Sequence, residues 1–250
     1  MTALACLGEN PAAALRLICF PHSGGQPGMF RRWVAGLAPD VEVWGATLPG
    51  RAARVSEPFA RQWSPLVAEI TDAVLDQVPG PVALFGHSLG ALLAFEVGRA
   101  LTLAGRAPEH LVVSARATPA TPYPLTLPDG DEELIDAVDR VYQGIPAALR
   151  DSPELLRLFA PVLRADLELA VSYVFRPGPP LSCPITALGG TDDPTVSEAE
   201  LSAWRRHTSG AFASARFPGG HFYLDAAERP VLDTLWRCLA PRHALTRSSS

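Results

Sequence analysis

The fold is decided by the stretch PVALFGHSLGALLAF at residues 81–95. Its first five residues form a short apolar run that predicts a buried strand, and its last seven have the small and apolar side chains of a helix that packs closely on a sheet. Between them lies the pattern G-x-S-x-G, in which Gly86 and Gly90 flank Ser88. Two glycines allow a turn from strand to helix so sharp that the serine hydroxyl is raised at the edge of the sheet. We therefore interpret Ser88 as a nucleophile, the alternative being a glycine-rich structural turn.

Short apolar runs alternate with helical patterns along most of the chain, which is typical of a parallel sheet wrapped by helices. At 250 residues, 48% of them hydrophobic, the chain can bury one substantial core, and no break in composition marks a second domain. We therefore expect a single α/β domain over residues 1–250. The predicted strands are Leu15–Phe20, Val41–Thr47, Val82–Phe85, His110–Ser114, Ile185–Leu188 and Ala213–Phe217. The predicted helices are Phe30–Leu37, Ser64–Val78, Leu89–Ala104, Ser197–His207 and Pro230–Leu239.

The alternation of strands and helices fails between residues 119 and 180. A proline-rich entry, TPATPYP, and a closing segment, RPGPP, enclose amphipathic helical patterns without a strand. The place of this insertion between two predicted strands, bounded by prolines, favours a lid that covers the substrate. The alternative is a pair of helices that simply pack on the core. Phe159, Leu163 and Leu167 are spaced to project toward one side, so we expect these lid residues to control access of the substrate.

The composition excludes several kinds of chemistry and of partner. All 21 basic residues are arginine, so the chain has no lysine for a Schiff base, a Ser-Lys dyad or a phosphate-binding loop. A net charge of −5 and the lack of any arginine run longer than two argue against nucleic-acid binding. The four cysteines lie far apart without C-x-x-C spacing, which predicts reduced thiols and neither a zinc site nor a disulfide framework. No apolar stretch approaches the roughly 18 residues that span a bilayer, and no signal peptide is recognisable, so we expect a cytoplasmic protein without membrane contact.

A serine nucleophile needs a histidine base and a carboxylate that orients the base. In sheets of this kind the three residues follow in the order Ser, Asp, His. His221 lies in the glycine-rich loop FPGGHFY, between the last predicted strand and the last predicted helix, so it emerges at the same edge as the serine. For the carboxylate, the loop GGTDDPTV offers Asp192 and Asp193. We favour Asp193 because it occupies the arrangement G-x-x-D-x-x-V, while Asp192 would cap a turn or face solvent.

The tetrahedral intermediate of such a reaction carries a negative oxygen, which two backbone N–H groups usually bind. One predicted donor is Leu89, the residue after the nucleophile. The other is Ser23, in the loop PHSGGQP after the first predicted strand, where the glycines let the backbone amides turn inward. These two N–H groups form the predicted oxyanion hole.

Six segments together resemble the type II thioesterases of the α/β-hydrolase superfamily, the discrete hydrolases that accompany polyketide synthases and nonribosomal peptide synthetases. The pattern G-x-S-x-G alone indicates only a hydrolase, but its combination with F-P-H-x-G-G, L-P-G-R and P-G-G-H-F is much more specific. The sequence departs from the family at two positions. Ser23 stands where the family often has Ala, and Leu89 stands where it often has Met. Both residues would act through their backbone amides. The segments span nearly the whole chain: FPHSGG at 20–25, LPGR at 48–51, FGHSLGA at 85–91, LRAD at 163–166, WRRHT at 204–208 and FPGGHF at 217–222.

The resemblance implies an α/β-hydrolase fold that hydrolyses acyl groups held as thioesters on the phosphopantetheine arm of an acyl or peptidyl carrier protein. Ser88 would take the acyl group, His221 would move the proton and Asp193 would hold the imidazole, with no metal or organic cofactor. Removal of stalled groups, release of starter units and release of a product all stay open. A carboxylesterase acting on small esters is the alternative, and a hydrolase fold that serves as a non-catalytic binding module is a third hypothesis.

Carrier proteins of this kind are typically acidic, so the surface of this enzyme on which they dock should be basic. Five arginines flank the predicted mouth of the active site: Arg31, Arg32, Arg51, Arg54 and Arg61. We interpret them as the footprint of the carrier protein, the alternative being that they only face solvent. We expect the enzyme to be a monomer.

Overall fold

Seven strands form one sheet within residues 2–146 and 150–239, the part of the chain that this computed structural model describes. In chain order the strands are β1 Leu4–Cys6, β2 Leu15–Phe20, β3 Val41–Ala46, β4 Val82–His87, β5 His110–Ser114, β6 Ile185–Gly190 and β7 Phe212–Phe217. Their order across the sheet is β1-β3-β2-β4-β5-β6-β7, and every neighbouring pair is parallel except β1 with β3. The parallel strands therefore end at one common edge, with β4 at the centre of the sheet.

Helices cover both faces of the sheet. In the described part of the chain they are α1 Trp33–Leu37, α2 Trp63–Gln77, α3 Leu89–Leu103, α4 Asp131–Tyr142, α5 Pro153–Val171, α6 Glu198–Ser202, α7 Tyr223–Ala226 and α8 Glu228–Leu239. Side chains alternate along β4, so that Leu84 packs with α2 and α3 on one face while Phe85 packs with α1 and α8 on the other. Both faces of the central strand are thus buried, as a parallel sheet requires. None of these helices is both long and apolar enough to cross a membrane.

The α/β class predicted from the sequence is confirmed, and all six predicted strands are present. The sequence analysis missed β1, because a three-residue antiparallel strand has too few positions to show a periodic pattern. Two predicted helices are divided: a 3₁₀ turn at Pro27–Phe30 precedes α1, and a second at Ala203–His207 follows α6. The predicted domain boundaries at residues 1 and 250 lie outside the described residues.

The predicted insertion at residues 119–180 contributes α4 and α5 and, within its described part, no strand of the sheet. It leaves the sheet after β5, at the edge where the parallel strands end. The two helices pack on each other through a small apolar core that is separate from the cores on the two sheet faces. Residues 147–149 of the insertion lie outside the described residues. The buried members of this core are Leu134, Ile135, Val138, Tyr142, Leu163 and Leu167.

Candidate active site

Ser88 lies in the turn between β4 and α3, in a backbone conformation with φ 57° and ψ −116°. A residue other than glycine rarely adopts a positive φ, and such strain persists only where the surrounding structure demands it. The demand comes from close backbone contacts. A Cβ on Gly86 would overlap the backbone of Gly90, and a Cβ on Gly90 would overlap the carbonyl group of Phe20. The sharp turn predicted from the glycines is therefore present, and it places Ser88 at the edge where the strands end.

Three side chains from separate strand ends meet at this edge. His221 Nε2 lies 3.0 Å from Ser88 Oγ, and His221 Nδ1 lies 2.9 Å from Asp193 Oδ2. A carboxylate can only accept a hydrogen bond, so the Nδ1–H group donates a hydrogen bond to Asp193. Nε2 of the neutral ring then accepts a hydrogen bond from the Ser88 hydroxyl. The three residues are 4%, 3% and 7% exposed in the order Ser88, His221, Asp193. Chemically, this is a nucleophile, its base and the carboxylate that orients the base.

The loop around Asp193 keeps its carboxyl group ionised. Oδ1 accepts the Thr195 N–H at 2.9 Å and the Thr195 hydroxyl at 2.7 Å. Burial acts to raise the pKa of Asp193, but hydrogen bonds from His221 and Thr195 outweigh burial, and the pKa lies below its ordinary value. Asp192, the other candidate, is exposed and accepts the Gly219 N–H at 3.3 Å instead. The structure therefore brings Asp193, and not Asp192, to the histidine.

The comparison with known proteins agrees with this geometry. The family model described as the thioesterase domain matches residues 15–238, which is most of the chain. The chain belongs to the thioesterase family. Its Ser-His-Asp triad is consistent with a serine hydrolase. The sequence resembles thioesterases of the α/β-hydrolase fold, and this resemblance is confirmed.

Three relatives illustrate the similarity of this thioesterase to enzymes of biosynthetic pathways. It is 39% identical over 217 residues to the thioesterase PikA5 of Streptomyces venezuelae, a match that covers 86% of this chain and 77% of PikA5. It is 41% identical over 230 residues to the AMB antimetabolite synthetase AmbE of Pseudomonas aeruginosa; the match covers 91% of this chain but only 11% of AmbE. The solved structure of BorB, a type II thioesterase from the borrelidin biosynthetic cluster, superimposes with a TM-score of 0.83 at 36% identity, covering 94% of this chain and 97% of BorB.

Two tyrosines of the insertion cover the active site of this thioesterase. The Tyr123 hydroxyl lies 3.1 Å from Ser88 Oγ, and the ring centre of Tyr142 lies 4.5 Å from that of His221. The space enclosed among these side chains measures about 10 Å³, which is no more than one water-sized sphere. A neighbouring cleft of about 460 Å³ shares Tyr123 and Arg116 with this space. The structure is thus a closed form, in which Tyr123 stands between Ser88 and the cleft.

The sequence analysis did not single out Tyr123, Tyr142 or Thr195. Tyr123 lies in the proline-rich entry of the insertion, and nothing in that entry indicates which residue it covers. Tyr142 ends the amphipathic pattern of α4, where it is indistinguishable from an ordinary core position. Thr195 carries a signal that could have found it, because the Asp-Pro-Thr sequence favours a turn in which the carboxylate accepts the N–H two residues later.

Two further histidines, His87 and His22, lie near the active site but are not placed to act as the base for Ser88. His87 Nδ1 lies 2.8 Å from Ser114 Oγ, and burial lowers the pKa of His87 well below its ordinary value. Burial also lowers the pKa of His22. Neither ring bonds to the Ser88 hydroxyl, so neither is placed to act as its base. Across residues 2–146 and 150–239, no group of three or more His, Cys, Asp or Glu side chains is placed to hold a metal ion.

The two predicted oxyanion donors lie on segments that touch each other. Leu89 is the first residue of α3, so its N–H has no acceptor within the helix. The loop that holds Ser23 leaves β2 beside this helix end, because Gly90 lies directly against the carbonyl groups of Phe20 and Pro21. The structure therefore brings the two donors to the same end of the sheet, and their role stays a prediction.

The three predicted lid residues lie along one side of α5. Leu163 and Leu167 are buried in the core of the insertion, and Phe159 is half-buried beside them. This side also faces the loop after β2, since a Cβ added to Gly24 would lie 2.8 Å from Phe159 Cζ and 3.5 Å from Leu163 Cδ1. Contact of these residues with a substrate stays a prediction.

The predicted docking surface of five arginines is wrong for two of them. Arg51 and Arg54 are 4% and 3% exposed. Arg51 pairs with Asp166 of α5 at 2.5 Å, and Arg54 pairs with Glu57 at 2.5 Å and also with Glu69. Burial of a guanidinium is costly unless the group is paired. These two arginines are buried in internal ion pairs, so they are not available to dock a carrier protein. The sequence does not reveal this, because Asp166 and Glu69 come from other elements of the fold.

The remaining three arginines, Arg31, Arg32 and Arg61, are exposed, as a docking surface requires. Arg32 pairs with Asp225 and Arg61 pairs with Glu168, each at 2.5 Å, so their positive charges are partly offset. These ion pairs lie in solvent and are weak, which leaves the arginines able to exchange one carboxylate for another. Their role in docking stays a prediction.

Proposed function

We propose that this thioesterase releases acyl groups held as thioesters on the phosphopantetheine arm of an acyl or peptidyl carrier protein of a modular synthase. The observation that carries the proposal is the hydrogen-bonded series from Asp193 through His221 to Ser88, in a chain of the thioesterase family. Similarity to BorB, and at 29% identity to YbtT, a type II thioesterase from the yersiniabactin NRPS/PKS biosynthetic pathway, supports a place in a polyketide or nonribosomal peptide pathway. Such an enzyme removes stalled acyl groups, or releases starter units or a finished product.

In the first half-reaction, Ser88 Oγ attacks the carbonyl carbon of the thioester while His221 Nε2 accepts the hydroxyl proton. Asp193 stabilises the imidazolium that forms. The carbonyl oxygen becomes an oxyanion, which accepts from the N–H groups of Leu89 and Ser23. Collapse of this intermediate breaks the C–S bond, leaves the acyl group on Ser88 and returns the proton to the pantetheine sulfur. The thiolate needs little acid assistance, because a thiol with a pKa of about 8.5 is a good leaving group.

In the second half-reaction, water takes the place of the pantetheine sulfur. His221 Nε2 accepts a proton from the water molecule as its oxygen attacks the acyl carbon. The second tetrahedral intermediate collapses, Ser88 Oγ takes back the proton from His221, and the carboxylic acid leaves. The proposed reaction consumes one water molecule and uses neither a metal nor an organic cofactor, since the phosphopantetheine belongs to the substrate.

The closed form has to open before an acyl group reaches Ser88. The Tyr123 side chain occupies the place beside the Ser88 hydroxyl, and the enclosed space of about 10 Å³ holds no acyl chain. Movement of Tyr123 would join this space to the adjoining cleft of about 460 Å³. This arrangement supports a lid function for the insertion, in which α4 and the proline-rich entry move while the sheet and the triad stay in place.

The partner is an acidic carrier protein that docks on Arg31, Arg32 and Arg61, the exposed arginines of the predicted docking surface. In this proposal the enzyme acts in the cytoplasm and as a monomer. The four cysteines support a reducing compartment, because all of them are free thiols.

The test compares three substrates that carry the same acyl group: a carrier-protein thioester, a short pantetheine thioester and an oxygen ester. We expect the highest kcat/KM for the carrier-protein thioester and the lowest for the oxygen ester. The carrier advantage should shrink as salt rises, because salt screens charges beyond about 8 Å at physiological ionic strength. A preference for the oxygen ester would replace the proposal with a carboxylesterase, and inactivity on all three substrates would replace it with a binding module.

Two variants serve as controls for this test. Ser88→Ala should lower turnover of every substrate on the order of a thousandfold or more, while the melting temperature stays near that of the parent protein. Arg31→Glu should lower the ratio of carrier to mimic activity. Arg206→Glu, on the exposed 3₁₀ turn Ala203–His207 beside β6, changes charge by the same amount and should leave that ratio unchanged.

A further inference from the structure

Two motifs that the mechanism does not use, LPGR at residues 48–51 and LRAD at residues 163–166, meet in a buried ion pair. Arg51 Nη2 donates to Asp166 Oδ1 at 2.5 Å, and Arg51 Nη1 donates to Asp166 Oδ2 at 2.6 Å. The two side chains are 3% and 4% exposed. A paired guanidinium and carboxylate with two parallel hydrogen bonds have a defined relative orientation, which makes this pair suitable for holding a third group in place.

The third group is the loop after β2. Asp166 Oδ2 also accepts the Gly24 N–H at 2.7 Å, and Arg51 Nη1 donates to the Gly25 carbonyl at 3.3 Å. Gly24 has a φ of 78°, a conformation that glycine adopts without strain, and its Cα lies against Phe159 of α5. The ion pair and helix α5 therefore hold this turn from the side of the insertion.

The peptide unit between Ser23 and Gly24 is held at both ends. Its N–H donates to Asp166, and its carbonyl group accepts from His22 Nδ1 at 2.9 Å. Because a peptide unit is planar, two hydrogen bonds at its opposite ends set the orientation of the plane and restrict the backbone at Ser23. The Ser23 side chain adds no support, since its Oγ is buried and has no hydrogen-bond partner within the described part of the chain.

We propose that Arg51 and Asp166 are positioning residues, which orient the Ser23 N–H toward the oxyanion through the peptide unit that follows it. This inference rests on the proposed function of Leu89 and Ser23 as oxyanion donors. An oxyanion donor acts on the tetrahedral transition state and not on the bound substrate, so its misorientation lowers kcat and leaves KM nearly unchanged. Removal of one such donor typically costs about 10²–10³ in kcat. A donor that is present but misdirected should lower kcat about 10- to 100-fold.

The test compares Arg51→Met and Asp166→Asn with the matched control Arg54→Met. Arg54 lies in the same turn and is equally buried, but its partners are Glu57, Glu69 and the Thr47 carbonyl. Complete labelling with a fluorophosphonate counts the active sites that are folded, and kcat is then expressed per active site.

We expect kcat per active site to fall about 10- to 100-fold in Arg51→Met and Asp166→Asn, with KM within about threefold of the parent value. The control Arg54→Met should lower the melting temperature but keep kcat per active site within about twofold. Parent-like kcat per active site in both Arg51→Met and Asp166→Asn would overturn the proposal, because the pair would then be only structural.

A double variant separates orientation from charge burial. Arg51→Met combined with Asp166→Leu removes both charges together, which is often neutral for stability, whereas each single change leaves a buried charge unpaired. The Gly24 N–H still lacks its acceptor in the double variant. We expect the melting temperature to recover relative to the single variants while kcat stays low. Recovery of kcat together with the melting temperature would overturn the proposal.

The choice of substrate distinguishes failure of this inference from failure of the proposed function. Acylation of Ser88 by p-nitrophenyl acetate uses the same oxyanion hole but needs neither a carrier protein nor a thioester. If the parent enzyme hydrolyses this ester and not the thioesters, the proposed function fails, and a loss of kcat on the ester in both single variants still supports the positioning role. The loss should be equal for acetyl and for longer acyl groups, and a loss confined to longer groups would overturn the inference in favour of a lid effect.

Discussion

The hydroxyl of Tyr123 lies 3.1 Å from Ser88 Oγ, so a residue of the insertion contacts the nucleophile directly. The same serine oxygen lies 3.0 Å from His221 Nε2, which shows that the cover leaves the triad intact. Arg116 helps to hold this cover in place. Its Cζ lies 4.7 Å from the centre of the Tyr123 ring, and its Nη2 donates to the Thr121 carbonyl at 2.5 Å. Opening of the site therefore requires loss of contacts at Tyr123 and no rearrangement of the catalytic residues.

The first prediction is that Tyr123→Phe makes Ser88 more accessible. The substitution keeps the ring but removes a hydrogen bond that favours the closed form by about 0.5–1.5 kcal/mol. If binding requires the open form, the larger open population lowers the apparent KM by up to about tenfold. The measurements are KM for a pantetheine thioester and the rate of labelling by a fluorophosphonate.

Tyr173→Phe is the control for this prediction. It removes the same atom from a tyrosine that lines the same cleft as Tyr123. The Tyr173 hydroxyl donates to Glu96 at 2.6 Å and makes no hydrogen bond to Ser88, so its removal should leave the labelling rate unchanged. Slower labelling of Tyr123→Phe than of the parent protein would show that Tyr123 assists the serine and does not cover it.

The second prediction concerns the two adjacent aspartates. Asp193→Asn should lower kcat on the order of 10³–10⁴-fold, because a neutral amide no longer keeps the proton on His221 Nδ1 or stabilises the imidazolium. Asp192→Asn should keep kcat within about twofold, since its side chain is exposed and contacts only the neighbouring turn. Both values come from steady-state kinetics on one thioester. A large loss in Asp192→Asn with a small loss in Asp193→Asn would reverse the assignment.

The third prediction is that α5 influences acyl-chain preference. Phe159→Trp enlarges a half-buried side chain between the insertion and the loop after β2, so it should lower kcat/KM for a medium-length acyl group more than for acetyl. Leu158→Trp is the matched control, since Leu158 is the adjacent residue of α5 and is 74% exposed. Equal effects of Phe159→Trp on all chain lengths would contradict this prediction and would indicate either a packed structural insertion or displacement of the Gly24 turn that Phe159 contacts.

The fourth prediction is a loss of stability in mild acid that depends on His110. Burial lowers the pKa of His110 to about 4, and its Nε2 lies 2.8 Å from Thr186 Oγ1. The unfolded chain takes up this proton near pH 6.5, whereas the folded chain does not. The contribution of His110 to stability is therefore complete above about pH 6.5 and is lost as the pH falls toward 4, by a total on the order of 3 kcal/mol.

The measurement is the free energy of unfolding in urea between pH 7.5 and pH 4.5, for the parent protein and for His110→Gln. The glutamine amide can still bond to Thr186 but does not titrate, so the variant should lose less stability on acidification. His87, whose pKa is lowered in the same direction, keeps part of the acid sensitivity in the variant. Parallel pH profiles for the two proteins would refute the role of His110.

Much of the active site could be predicted because it depends on local backbone requirements. The turn at Ser88 requires glycine at positions 86 and 90, and a pattern of five consecutive residues shows this requirement in the sequence. His221 follows from a glycine-rich loop at the end of the last strand. For the carboxylate, the sequence offers two adjacent aspartates and favours Asp193 over Asp192, and the structure shows Asp193 at the histidine. The central strands β2, β4, β5 and β6 could be predicted for another reason, since residues buried on both faces leave continuous apolar runs, while the short edge strand β1 leaves none.

The amino-acid sequence by itself determined six of the seven strands of the described part, their order along the chain and the three residues of the triad. Only the tertiary structure decided which distant side chains meet. Arg51 and Asp166 are separated by 115 positions and Tyr123 and Ser88 by 35, and neither contact follows a periodic pattern, because each depends on how the insertion folds back over the edge of the sheet. A buried arginine and an exposed one look alike in a sequence, since burial depends on a partner that lies near the guanidinium in space, as Asp166 does for Arg51.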